Sequence, residues 1–143
     1  MTLRLSLLSL RITVVLQAIL MLVQVALAGG FLGGHYDMLA LHGLVGRVLT
    51  VATLLTAVAA FFVRRLKGPA AFLPLAIVLV VALVGQIALG ELHSVAAHVL
   101  LGVILACATA VLTQRVMTTP LPARATAPHA PAAGPLTQPE PVK

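Results

Sequence analysis

Apolar residues fall into four long runs, at 12–29, 38–63, 72–89 and 95–113, separated by short stretches that carry glycine, proline or charge. Each run is near the ~20 residues a helix needs to cross ~30 Å of hydrocarbon. None shows the strict alternation of a barrel strand, and lipid offers no water to satisfy open backbone groups, so helices are predicted. The connections are short, which makes successive helices antiparallel. The pattern predicts an all-α integral membrane protein, a four-helix up-and-down bundle over 1–117, with the second and fourth helices diagonal to one another.

Polar residues interrupt the runs in a repeated way. Gln24-Val25-Ala26-Leu27-Ala28 is echoed by Gln86-Ile87-Ala88-Leu89-Gly90, and Ala40-Leu41-His42-Gly43-Leu44-Val45-Gly46 by Ala96-Ala97-His98-Val99-Leu100-Leu101-Gly102. The two-helix unit is therefore duplicated. Intramembrane amide and ionisable groups are costly and need partners, so Gln24, Gln86, His42 and His98 are candidate functional residues. The histidines lie about one turn inside their helices, roughly 5 to 6 Å below the membrane boundary, at matching depth. On diagonal helices they can face each other across the interior.

Gly46 and Gly102 stand four residues after each histidine, one turn deeper on the same face. Thr50 and Thr53 continue that small face in the second helix, as Ala106 and Thr109 do in the fourth. Small residues below two opposed imidazoles leave a slot that a flat macrocycle ligated by both would need. Small residues four apart are also ordinary packing devices in membranes. Gln24 and Gln86 would either bond between helices or touch the ligand.

Composition and charge add orientation. The chain is 61% hydrophobic and 8% charged, with a net charge of +6. Arg4 and Arg11 precede the first run, Arg64, Arg65 and Lys67 lie between the second and third, and Arg115 and Arg124 follow the fourth. The other two connections contain Asp37 and Glu91 and no Lys or Arg. By the positive-inside rule both termini are cytoplasmic, in a plasma (inner) membrane. The positive charge marks topology rather than nucleic-acid binding; anionic headgroups would gather beside Arg64 and Arg65.

Arg4, Arg11 and Ala26-Leu27-Ala28 also resemble a cleavable signal peptide. The apolar stretch is long for that and contains Gln17 and Gln24, so a retained helix is expected. The Pro- and Ala-rich segment 118–143 is expected to be a disordered cytoplasmic tail. Cys107 is the single cysteine; it excludes an internal disulfide and a C-x-x-C-H heme attachment, and a buried packing role is expected for it. Arg47, nine residues into the second helix, calls for an interior partner such as a ligand carboxylate.

A helix ending in Gln, an outer connection and a helix opening with His resembles the repeating unit of heme A synthase, whose eight helices form two four-helix halves. Residues 12–113 cover one half. The resemblance implies one b-type heme between the second and fourth helices, with His42 and His98 on its iron; a propionate of such a heme would serve as the carboxylate that Arg47 calls for. The family's catalytic half has a Glu three residues before its first His and an Arg directly after it. Here Leu39 and Gly43 stand there, so the chain is more similar to the non-catalytic half.

The expected function is thus bis-His heme b binding, for electron transfer or heme handling, with no catalytic residues assigned. Two imidazoles leave the iron without an open position, which favours electron transfer over oxygen chemistry. Expected partners are the bilayer and a redox protein or a second copy of the chain. One alternative is a structural or assembly subunit in which the repeat is only packing symmetry. Another is a metal ion held at the outer surface by His35, Asp37, Glu91 and His93.

Overall fold

The computed structural model describes residues 2–123; of the expected tail 118–143, Thr118 ends the last helix, and the part from residue 124 onward, with Arg124 and His129, lies outside the described residues. Four helices form: α1 (Leu3–Leu32), α2 (Met38–Arg65), α3 (Phe72–Glu91) and α4 (Val95–Thr118). All four are long and apolar enough to cross a membrane, and together they make a four-helix, multi-pass membrane bundle.

Helix α1 starts nine residues before its apolar run. Thr2 caps it, accepting a hydrogen bond from the Leu5 backbone N–H at 3.3 Å, which satisfies a donor that the helix itself leaves open. The extension carries Arg11 to the far end of α4. There its guanidinium donates to the carbonyls of Met117 (3.2 Å) and Thr119 (2.6 Å), neutralising the negative end of the α4 dipole.

Helix α1 packs on α2 and α4, and α3 packs on α2 and α4; the diagonal pairs do not approach within 8 Å between Cα atoms. This is the square, up-and-down arrangement expected from short connections. Where the chain leaves α1, α2 and α3, one residue takes a positive φ: Gly34 (96°), Lys67 (61°) and His93 (56°). In each case the next backbone N–H reaches back to a carbonyl of the last turn, His35 to Gly30, Gly68 to Val63 and Ser94 to Leu89. These turns close the helices in the Schellman manner.

The apolar core is confined to the end that carries both termini. Leu7, Leu10 and Val14 of α1, Ala60 and Val63 of α2, Phe72, Ala76 and Leu79 of α3, and Leu112 and Val116 of α4 are buried there. Gln17 is buried near mid-bundle and donates from Nε2 to Thr109 Oγ1 at 3.3 Å. Past Met21, Leu83, Leu49 and Leu105, towards the other end, no described residue is fully buried.

Candidate functional site

The inward-facing positions at that other end are Gln24 and Ala28 of α1, His42 and Gly46 of α2, and, by the repeat, Gln86 and Gly90 of α3, His98 and Gly102 of α4. Helical spacing of three to four residues continues each core stripe into these positions. Gln24, Gln86, His42 and His98 are all half-buried.

The two imidazoles meet across the diagonal. Their ring centres are 6.1 Å apart and the planes are tilted by 57°. Each ring is held from behind by the neighbouring helix: His42 Nδ1 lies 3.2 Å from the Gln24 carbonyl and His98 Nδ1 2.9 Å from the Gln86 carbonyl. A carbonyl can only accept, so Nδ1 carries a proton in both rings. No hydrogen bond to either Nε2 forms among the described residues. In the neutral form, imidazoles oriented in this way by backbone acceptors offer Nε2 to a transition metal. A metal about 2.0 Å from each donor nitrogen would separate the ring centres by roughly 6 Å. The separation of the two ring centres is compatible with that spacing.

The glycines have a different immediate reason from the one expected. A Cβ on Gly46 would lie 3.0 Å from Gln24 Nε2, and one on Gly102 would lie 3.1 Å from Gln86 Nε2. The space beside each glycine is taken by a glutamine amide. The slot that the His-Gly spacing implies is a notch for Gln. Gly90 also lets His98 approach, since a Cβ there would lie 3.2 Å from Cε1.

The glutamines do more than fill notches. Gln86 Nε2 donates to the His98 carbonyl at 2.8 Å while the Gln86 carbonyl accepts from His98 Nδ1, a reciprocal clamp between α3 and α4. Gln24 and His42 make only the second of these bonds. Gln24 Oε1 and Gln86 Oε1 are both buried without a partner.

Arg47 is exposed, which corrects the expected interior partner. It follows Gly46 by one residue and is turned about 100° from that inward position, onto the lipid-facing side. From there its side chain leans back toward the start of α2 and can reach the interface. Cys107 is likewise exposed on α4 rather than buried. His35, Asp37, Glu91 and His93 do not assemble a site: among the described residues no group of three or more His, Cys, Asp and Glu side chains is placed to hold a metal ion. Sequence reasoning missed the backbone carbonyls of Gln24 and Gln86 as histidine acceptors; the paired Gln-to-His spacing was the available signal. No family model, curated protein or solved structure matches this chain.

Proposed function

We propose that the chain is a membrane module for one b-type heme, with His42 and His98 as its two iron ligands, serving electron transfer or heme handling. The supporting observation is the imidazole pair: ring centres 6.1 Å apart on diagonal helices, each Nδ1 engaged by a backbone carbonyl. When bound, such a group supplies a one-electron couple. The chain's own residues do the holding. The carbonyls of Gln24 and Gln86 lock the tautomer and strengthen each Nε2 as a donor. Gly90 lets the His98 ring seat against α3. The likeness to the non-catalytic half of heme A synthase agrees with a holding rather than an oxidising role.

The Lys and Arg residues at the terminus-bearing end support a plasma-membrane location with both termini cytoplasmic and the histidines near the outer leaflet. Reporter fusions after Lys67 and Glu91 check this, with cytoplasmic activity expected from the first alone.

The experiment for heme is a visible spectrum of the purified chain with a pyridine hemochrome assay. A low-spin b-type spectrum at about one heme per chain is expected. One observation favours a second reading, a structural subunit: the Gln notches and Gln–His bonds already join α1 to α2 and α3 to α4 without any ligand. That reading requires colourless protein that takes up no added hemin.

A further inference from the structure

The two histidines are equivalent in the repeat but not in their support. His98 is held twice, through Nδ1 to the Gln86 carbonyl at 2.9 Å and through its own carbonyl to Gln86 Nε2 at 2.8 Å. His42 has a single bond, at 3.2 Å, to the Gln24 carbonyl. The connections differ in the same sense. Helix α4 follows α3 after 92–94, whereas α2 follows α1 after 33–37, and Gly29, Gly30, Gly33 and Gly34 cluster at that joint. Glycine gives the backbone there more conformations to visit. His42 therefore follows the longer, glycine-richer connection.

We infer, resting on the heme reading above, that His98 is the anchoring ligand and His42 the yielding one, so that a small neutral ligand of ferrous iron takes the place of His42. With a heme iron held by both rings, the exchange would release His42 Nε2 with its electron pair, and the incoming ligand would donate its own pair. No electron or proton is transferred.

The test uses the full chain in phospholipid nanodiscs, loaded with hemin and reduced with dithionite, with carbon monoxide as the probe. Carbon monoxide is expected to convert the low-spin spectrum of the wild-type protein. His42→Ala should retain heme and bind carbon monoxide more tightly, while His98→Ala should retain about tenfold less heme. Because His98→Ala removes a helix-pairing contact, two near-isosteric variants that keep both imidazoles provide an independent arm. Gln86→Leu should speed heme transfer to an excess of an apo-protein acceptor by about fivefold, the worth of one net hydrogen bond, and Gln24→Leu, which removes no side-chain hydrogen bond, should speed it clearly less. Equal retention in the two Ala variants, equal effects of the two Leu variants, or a wild-type spectrum unmoved by carbon monoxide would overturn the inference while leaving heme binding intact. A wild-type chain that takes up no heme would instead overturn the heme reading itself.

Discussion

The two ends of the bundle are built from the same four helices yet differ in what they place inside. At the terminus-bearing end Leu10, Val63, Leu79 and Val116 are fully buried, and the helices close on one another through apolar side chains. At the histidine end the inward positions are Gln24, Ala28, His42, Gly46, Gln86, Gly90, His98 and Gly102, all of them polar or small. Gln24, Gln86, His42 and His98 are only half-buried there, and no described side chain is fully buried. Apolar burial is concentrated at the terminus-bearing end.

That contrast can be broken most directly by deleting core volume at matched places. Leu79→Ala, in the closed half of α3, should lower stability by about 2 to 5 kcal/mol; the half-buried Leu89→Ala, on the same helix in the open half, should cost well under half as much. Thermal unfolding of the two variants in the same detergent decides it. Comparable losses would mean that the histidine end is as tightly closed as the other.

A smaller effect is expected at the notches. Gly46→Leu and Gly102→Leu should each cost about 1 to 3 kcal/mol by displacing a glutamine amide. Combining Gly46→Leu with Gln24→Ala should recover part of the loss, a coupling that a double-mutant cycle would read. Simple additivity would show that the glutamine does not fill the notch.

The smallest change sharpens the comparison at the loops. His93 holds a φ of 56°, where a Cβ is strained and glycine is not. His93→Gly should therefore stabilise the α3–α4 turn by a few tenths to about 1 kcal/mol and leave the bound-heme spectrum unchanged. Loss of the spectrum in this variant would give His93 a direct part in the site.

Much of the architecture was legible in the chain. Four apolar runs of membrane-crossing length, joined by short polar connections, imply four antiparallel helices with α2 and α4 diagonal, since lipid admits only helices or closed barrels and the runs lack the alternation of barrel strands. The repeat of Gln and His at matched depth likewise located the candidate site, because polar groups inside hydrocarbon are too costly to place twice without a partner. What each of these residues touches was decided only in three dimensions. Whether Gly46 makes room for a ligand or for Gln24, whether Arg47 points inward or to lipid, and whether Cys107 is buried all depend on the rotation of each helix about its axis. The weak amphipathicity of nearly uniform apolar helices does not encode that rotation; the meshing of side chains with neighbouring helices sets it. The unequal support of His42 and His98 is of the same kind, since it rests on the placement of one side-chain amide and the length of one loop.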